Sequence, residues 1–364
     1  MISFEPSDEQ KAIVDAVRRL VEKEIRPQAR PCDLAEKIPP TLLDSANSLG
    51  LVMSVVPEKN GGGGEPLSAV TGALIAEELA WGDLALAAAV LSPSLHVMPL
   101  VLAGSDAQKE KYLPAFLEER FAPGAIALAE PSFRFDARRP ATTATREGDG
   151  YVLAGRKCFV PVLEGDTPFL VFALEGDRVQ GFFVPRNAEG LKIEAGEKNM
   201  GLFALPTAEL ALEKVRVSAG DRLGEDAGCD FGALLDRSRV GLSAMAVGVA
   251  RAALEYSKEY AKERTAFGVP IATKQAIAFM LAEMAIEVDA ARLLVWEAAW
   301  RIDEGLDATK EVALARRTCA ATALEVADRA VQILGGHGYI REHLVELHLR
   351  NARGFNALEA LTIV

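Results

Sequence analysis

The chain has 364 residues, of which 50% are hydrophobic and 25% charged, so it carries enough apolar material for a large folded core. Its formal net charge of −12 and its pI of about 5.1 make the surface acidic. An acidic surface repels phosphate backbones, so we expect no nucleic acid partner. The four cysteines lie far apart and show no Cys-x-x-Cys or Cys/His ligand spacing, so we expect reduced thiols and no metal site.

The start of the chain and an apolar run near residue 84 bear on localisation. Residues 1–6 pass directly into a charged amphipathic stretch, which is not the pattern of a signal peptide. The apolar run at residues 84–91 has eight residues, whereas a membrane-spanning helix needs about 20. We therefore expect a cytoplasmic protein with no membrane association.

The first block, residues 1–122, is predicted to be a helical domain. Ser7 followed by Gln10 is a capping-box pattern for a first helix, which continues with apolar residues at helical spacing. We expect this pattern to be interrupted by four prolines, Pro27, Pro31, Pro39 and Pro40. Further helices are predicted at about 41–49, 67–80, 84–102 and 106–116.

The middle block, residues 123–228, contains short apolar or alternating runs between turn residues, which is typical of a small antiparallel β-domain. Helices return in the last block, residues 229–364. They are long, and we predict them near 231–262, 273–304, 308–334 and 339–350. The predicted fold class is therefore mainly α with a middle antiparallel β-domain. Ligands tend to bind at interfaces such as those between these blocks.

Several common catalytic motifs are missing from the sequence. The four glycines at 61–64 lack the Gly-Lys-Ser/Thr of a P-loop and the strand–turn–helix context of a dinucleotide fingerprint. The four histidines show no metal-ligand spacing, and no Gly-x-Ser-x-Gly marks a nucleophile elbow. We therefore interpret the glycine run as a flexible turn.

Two glycine-containing segments at helix ends suggest a nucleotide site. In the first, a predicted helix stops at a Phe-Gly turn and leaves Arg264 and Phe267 near its end. An arginine can clamp a pyrophosphate, and an aromatic ring can stack on adenine. In the second, at 332–339, Gly335 and Gly336 let the backbone approach a ligand, and the next helix N-terminus favours an anion. The alternatives are a surface arginine beside a packed phenylalanine, and an ordinary inter-helix turn.

Together the two segments resemble the two signatures of the acyl-CoA dehydrogenase family, and the likeness extends from about residue 5 to residue 360. Further motifs follow in the family's order, including Val56-Pro-Glu-Lys-Asn-Gly, Gly104-Ser-Asp-Ala-Gln-Lys and Ala129-Glu-Pro. The resemblance implies an acyl-CoA dehydrogenase-like three-domain architecture: a helical domain, a β-barrel and a four-helix bundle. It also implies a homotetramer built as a dimer of dimers.

The resemblance implies that FAD binds between the middle and last blocks and reaches the neighbouring subunit. The implied FAD contacts are Ala129, Phe159, Pro161, Arg264, Phe267, Gln275, Gln332, Gly335 and Gly336. The implied acyl-CoA contacts are Asp236 and Arg239. In the family's reaction a glutamate removes the α-proton of an acyl-CoA and the β-hydride passes to flavin N5, which gives a trans-2-enoyl-CoA. An electron-transferring flavoprotein then takes the electrons.

Glu359 matches the family's catalytic base, because its interval from Arg350 fits without gaps. The other known location for the base, just before Arg239, holds Ser238. The residues around Glu359 are apolar, which favours docking of this segment into the interior, where a carboxylate is a stronger base than in water. The alternative is a frayed and solvated glutamate.

Four residues depart from the family's pattern where the resemblance implies polar flavin contacts. They are Ala129, Phe135, Pro161 and Leu361. Each lost hydrogen bond costs about 1 kcal/mol of cofactor affinity. Three functions stay open: an acyl-CoA dehydrogenase with a relaxed flavin site, a flavin-poor or non-catalytic subunit of a heteromeric acyl-CoA dehydrogenase, and another flavin oxidase or monooxygenase on the same fold.

Overall fold

The computed structural model describes residues 5–364; residues 1–4, on which part of the localisation prediction rests, lie outside the described chain. The first block is helical. Its helices are α1 (Asp8–Leu20), α2 (Arg26–Ala35), α3 (Pro40–Asn47), α4 (Ala69–Gly82), α5 (Leu84–Val90), α6 (Ser94–Ala103) and α7 (Asp106–Tyr112). The Ser7 hydroxyl accepts from the N–H of Gln10, whose side chain accepts from the N–H of Ser7, so the capping box is confirmed.

The prolines of the first helical run do not end it. α1 continues through a π-helical turn, Val21–Ile25, into α2. Pro27 lies in the first turn of α2, where proline is tolerated, and Pro31 lies inside the same helix. The prediction of an interruption at these two prolines is therefore wrong. The chain leaves the helix only at Glu36, whose φ of 51° is left-handed.

The single helix predicted at 84–102 is in fact two helices, α5 and α6, bent by 44°. Pro93 lies in the break, and it lacks the N–H that a continuous helix requires. Between residues 5 and 364, no single helix is long and apolar enough to cross a membrane, although this bent pair passes that test by length and composition.

The middle block is one seven-stranded sheet. Its strands are β1 (Ile126–Ala127), β2 (Thr143–Glu147), β3 (Gly150–Pro161), β4 (Phe169–Glu175), β5 (Arg178–Val184), β6 (Leu191–Ala195) and β7 (Thr207–Ser218). They are ordered β1-β4-β2-β3-β7-β6, and β5 pairs with β4 off this path.

This sheet corrects the predicted antiparallel barrel in two respects. β1 and β2 both pair with β4 in parallel, so the sheet is mixed, and it does not close into a barrel. The physical reason is that alternating hydrophobicity reports which face of a strand is buried and carries no information on the direction of its neighbour.

The last block is a helical bundle with one small hairpin. Its elements are α8 (Phe231–Glu263), β8 (Thr265–Ala266), β9 (Val269–Pro270), α9 (Gln275–Asp303), α10 (Thr309–Leu334) and α11 (Val345–Gly354). α8 is central, because α4, α9, α10 and α11 all pack on it. The fourth helix begins at Val345 and not at 339, since Gly335–Tyr339 forms a separate 3-10 turn.

His96 joins α6 to the sheet and makes stability depend on pH. The ring is fully buried; its Nδ1 accepts from the N–H of Ala125 at 3.2 Å, so its Nε2 carries the proton and donates to the carbonyl of Pro168 at 2.8 Å. Burial lowers the pKa of His96 to about 4. On acidification the unfolded chain therefore takes up this proton before the folded protein does. The stabilisation is complete above about pH 6.5 and is lost as the pH falls to 4, by on the order of 3 kcal/mol.

We expect the free energy of unfolding to fall more steeply on acidification for the wild type than for His96→Gln, which has no imidazole to protonate. Urea unfolding of both proteins between pH 4 and pH 7 measures the two slopes. Parallel pH profiles would show that His96 does not set this dependence.

Candidate active site

Glu359 lies in an irregular segment that follows α11 and is 15% exposed at its side chain. Its Oε1 accepts from Nη2 of Arg239 at 3.1 Å. Its Oε2 is buried and makes no hydrogen bond to any residue of the described chain. One carboxylate oxygen is therefore held in place while the other has a free lone pair, which is the arrangement that a general base requires.

Arg316, on α10, is a second arginine beside Glu359 that sequence reasoning missed. Its Nη2 donates to the carbonyl of Leu358 at 2.8 Å and to that of Phe355, and so fixes the backbone that precedes Glu359. Burial lowers the pKa of Arg316, and the charge of Glu359 opposes that shift. The sequence held one signal that Arg316 faces the interior. Arg316 lies one turn after Val312 and one turn before Ala320, and both of these apolar residues are on the buried face of the helix.

The residues after Glu359 form a buried segment, Ala360–Val364, in which each residue is at most 4% exposed. Nη1 of Arg237 donates to the carbonyl of Val364 at 2.9 Å, and the N–H of Ile363 donates to Oγ of Ser94 at 3.3 Å. Ala360 has a φ of 54°, a left-handed conformation that strains a residue other than glycine. The alternative of a frayed, solvated segment is therefore wrong.

The segment Ala360–Val364 packs against glycines on two helices. A Cβ at Gly241 of α8 would lie 2.6 Å from Cγ2 of Thr362 and 2.9 Å from Cγ1 of Val364. A Cβ at Gly72 of α4 would lie 2.6 Å from Cβ of Val364. These close approaches seat the segment that carries Glu359 between α4 and α8.

We expect Gly241→Ala to destabilise the protein by about 1–3 kcal/mol, because the added methyl group has no space and must push the segment away from α8. Chemical denaturation measures this difference. Gly220→Ala is the matched control, since its Cβ would meet only Oγ of Ser218 at an ordinary 3.7 Å. Equal stabilities of the two variants would contradict the close packing.

The residues proposed for the middle-block half of the FAD site lie side by side. The N–H of Cys158 donates to the carbonyl of Ala129 at 2.9 Å, which ties β3 to the loop after β1. The pairing of β3 with β7 shifts between Lys157 and Val160, and within this bulge Phe159 has a φ of 53°. A bulge with a left-handed phenylalanine re-aims that side chain, and such strain is commonly kept at functional sites. Pro161, the last residue of β3, offers no N–H at this edge.

The other proposed half of the FAD site is an open cavity of about 380 Å³ between the end of α8 and the end of α10. Its lining includes Tyr260, Arg264, Gly335 and Gly336. The Arg264 guanidinium makes no ion pair or hydrogen bond with any residue from 5 to 364. A Cβ on either glycine would meet nothing within 4 Å, so the backbone here is accessible to a ligand.

Three further residues proposed to contact FAD lie on exposed surface. Phe267 is 95% exposed at the turn between β8 and β9, with a left-handed φ of 55°, so the alternative of a packed phenylalanine is wrong. Gln275 is the first residue of α9, and Gln332 lies in the last turn of α10. None of the three makes a hydrogen bond to Glu359 within residues 5–364.

Asp236 and Arg239, proposed to bind acyl-CoA, both lie near the start of α8 but have different partners. Arg239 is paired with Glu359. Asp236 accepts from Nη2 of Arg138 at 3.3 Å, across to the loop that precedes β2. Burial raises the pKa of Asp236, and the charge of Arg138 opposes that shift. The structure therefore brings Arg239 to Glu359 and places Asp236 at the edge of the middle block.

The partly buried carboxylate, the open arginine–glycine cavity and the helix–sheet–helix plan fit a flavin-dependent oxidoreductase, which is the class that the following comparisons give. Family models for the N-terminal, middle and C-terminal domains of acyl-CoA dehydrogenase match residues 7–120, 125–215 and 231–359. The chain belongs to the acyl-CoA dehydrogenase family.

Individual relatives agree with this assignment. The chain is 38% identical to a probable acyl-CoA dehydrogenase of Bacillus subtilis, over 97% of this chain and 94% of that protein. The structure superposes on butyryl-CoA dehydrogenase from Megasphaera elsdenii with a TM-score of 0.87 and 34% identity, covering 98% and 95% of the two chains. It superposes on a glutaryl-CoA dehydrogenase from Mycobacterium smegmatis in complex with FADH2 with a TM-score of 0.85 and 26% identity, covering 96% and 90%.

FAD is the cofactor of this family, and the residues present suit it. The unpaired Arg264 guanidinium and the open backbone of Gly335 and Gly336 suit a pyrophosphate. The Ala129 half offers an aromatic ring, Phe159, and backbone donors, but no hydroxyl from the four substituted positions. The fit is therefore strongest at the nucleotide end.

Proposed function

We propose that the protein catalyses the α,β-dehydrogenation of an acyl-CoA thioester to a trans-2-enoyl-CoA, with Glu359 as the base. The observation that carries this proposal is the interior carboxylate with one oxygen held by Arg239 and the other free. FAD, when bound, would supply the acceptor for the hydride that leaves the substrate β-carbon. We further propose that the blocks 1–122, 123–228 and 229–364 are separate domains, with the cofactor held between the second and third.

The roles of the residues follow from their contacts. Oε2 of Glu359 takes the α-proton of the thioester, while Arg239 orients the carboxylate and Arg316 fixes the backbone beside it. The buried segment Ala360–Val364 keeps water from this side of the base. Asp236, at the start of α8, is proposed to contact acyl-CoA near the protein surface. Arg264, Gln332, Gly335 and Gly336 would hold the nucleotide end of FAD.

We also propose that the protein is a homotetramer, a dimer of dimers, that passes electrons to an electron-transferring flavoprotein. Support comes from an apolar stripe on the outer face of α9, which repeats every seven residues and is 49–68% exposed. The stripe consists of Phe279, Ile286, Leu293 and Trp300. Exposed apolar patches of this kind mark protein interfaces. A second copy on this face would bring the nucleotide end of a neighbouring flavin to the arginine–glycine cavity and to Phe267, Gln275 and Gln332.

We expect Ile286→Asp to convert the oligomer to a smaller species and to weaken FAD binding, because a charge in the apolar stripe prevents the pairing that completes the flavin site. Light scattering coupled to size-exclusion chromatography gives the mass, and a flavin titration gives the affinity. Asp149→Ala, an exposed residue in the turn between β2 and β3, should change neither quantity. An unchanged mass for Ile286→Asp would contradict the proposed interface.

A second function, a flavin-poor subunit of a heteromeric dehydrogenase, is favoured by one observation. Ala129, Phe135, Pro161 and Leu361 present no hydroxyl where the family carries polar flavin contacts. Absorbance spectroscopy of the protein purified alone separates the two functions. A protein that is yellow as purified, or that retains a flavin band after added FAD has been removed by gel filtration, supports the dehydrogenase. A protein that retains no flavin band after this treatment supports the flavin-poor subunit.

A further inference from the structure

The loop after β1 holds a backbone donor with no partner. Ala129 is 7% exposed, and its N–H makes no hydrogen bond to any residue in the described chain. Buried backbone N–H groups are almost always paired, so an unpaired one needs an explanation. A ligand with an acceptor atom at this position would supply the missing partner.

The side chain of Lys157 fixes the two residues on either side of this donor. Its side chain is completely buried, and its Nζ donates to the carbonyl of Leu128 at 3.0 Å and to Oε1 of Glu130 at 2.9 Å. The ammonium group therefore binds both neighbours of Ala129. The adjacent N–H of Cys158 holds the carbonyl of Ala129 itself at 2.9 Å.

The Glu130 carboxylate is anchored on its far side as well. Its Oε2 accepts from the N–H of Ala141 at 2.7 Å, and its Oε1 accepts from the N–H of Thr142 at 2.8 Å. The Glu130 carboxylate thus accepts three charge-assisted hydrogen bonds in the interior, one from Lys157 and two from backbone N–H groups. Such bonds are stronger than neutral ones, so they hold the loop rigidly. The loop is thus pinned from β3 and from the chain that precedes β2.

We propose that Lys157 is a positioning residue, which holds the Ala129 N–H in place as a hydrogen-bond donor to the ring system of the bound flavin. This inference rests on the proposed function for the placement of the flavin. It also explains how the site works without a hydroxyl at position 129: the donor that remains is a backbone group, and its position is set by a buried ion pair.

The charge of Lys157 matters as well as its hydrogen bonds. Burial lowers the pKa of Lys157 to about 8, and Glu130 opposes that shift, so the ammonium form predominates at pH 7. Removal of this cation would leave the Glu130 carboxylate uncompensated next to the flavin. Reduced flavin, which carries more negative charge, would then be disfavoured.

The test compares the wild type with Lys157→Met and with the double variant Lys157→Met/Glu130→Gln. Lys192→Met is the matched control, because it breaks a Lys–Glu pair on the same sheet that is exposed (56% and 60%). We measure FAD affinity by fluorescence titration, the absorption band of the bound flavin, its reduction potential and the melting temperature. Glu130→Gln alone provides the same measurements if Lys157→Met does not fold.

For Lys157→Met we expect FAD affinity to fall by roughly tenfold, the scale of one ordered hydrogen bond, with a shifted absorption band and a more negative potential. The double variant should bring the flavin reduction potential part of the way back to the wild-type value, because neither the Lys157 cation nor the Glu130 carboxylate remains. Lys192→Met should match the wild type. A lower melting temperature with unchanged affinity, band and potential would overturn the inference and leave the proposed function standing. Failure of the wild type itself to bind FAD would instead refute the proposed function.

Discussion

Glu359→Gln is expected to lower the rate of acyl-CoA dehydrogenation by about 10²- to 10⁴-fold, the usual contribution of a general base. The amide keeps the size of the side chain and can still accept the hydrogen bond from Arg239, but it cannot take up the α-proton. The fold and the FAD content should therefore be preserved. Steady-state rates, together with the flavin absorption of the purified variant, measure both properties.

Glu342→Gln changes an exposed glutamate in the turn that precedes α11; it is the control and should have wild-type activity. Near-normal turnover in Glu359→Gln would mean that another group removes the proton. Ser238, the residue at the other known location of the base, has a buried hydroxyl with no partner in the described chain but no carboxylate. Such a result would move the search to a different mechanism.

Arg251→Met is expected to destabilise the protein by about 3 kcal/mol, because it removes a cation shared by two buried carboxylates. Arg251 lies on α8, and its Nη1 donates to Glu77 at 3.0 Å and to Glu78 at 2.8 Å, both on α4. Arg292 and Arg18 contact the same two glutamates, so part of the compensation remains and the effect lies at the lower end for a buried pair.

Equilibrium unfolding in urea measures this change, with Lys262→Met as the control. Lys262 pairs with Glu259 at 2.8 Å on the exposed surface of α8, where such a pair contributes about 1 kcal/mol or less. If Arg251→Met lowers the free energy of unfolding by no more than the control does, α4 and α8 are held together by apolar packing alone.

Long helices were the part of the fold that the sequence predicted best. The observed bounds of α8, Phe231–Glu263, and of α9, Gln275–Asp303, agree with the predicted 231–262 and 273–304 within two residues. Their apolar periodicity is local and extends over many turns, so it can be read from one segment. The bend between α5 and α6 has a local signal, Pro93, which the predicted single helix at 84–102 did not use. Strand direction and the π turn before α2 depend on packing against distant segments, which no local pattern reports.

In the candidate active site, too, features within one segment could be predicted from the sequence, whereas contacts between distant segments could not. Glu359 was located from its interval to Arg350, a spacing within one segment. Its partner Arg239 is 120 residues away in the sequence, and Arg316 is more than 40 residues away, so neither contact is visible as a motif. The free N–H of Ala129 could not be predicted at all, because it depends on which backbone groups the fold leaves unpaired.

The central claim, that this protein oxidises acyl-CoA thioesters with bound FAD, is tested most directly by anaerobic titration of the purified yellow protein with a panel of acyl-CoAs. We predict that at least one acyl-CoA bleaches the visible flavin band and that the corresponding 2-enoyl-CoA is recovered. A flavin band that every acyl-CoA of the panel leaves unchanged would contradict the claim.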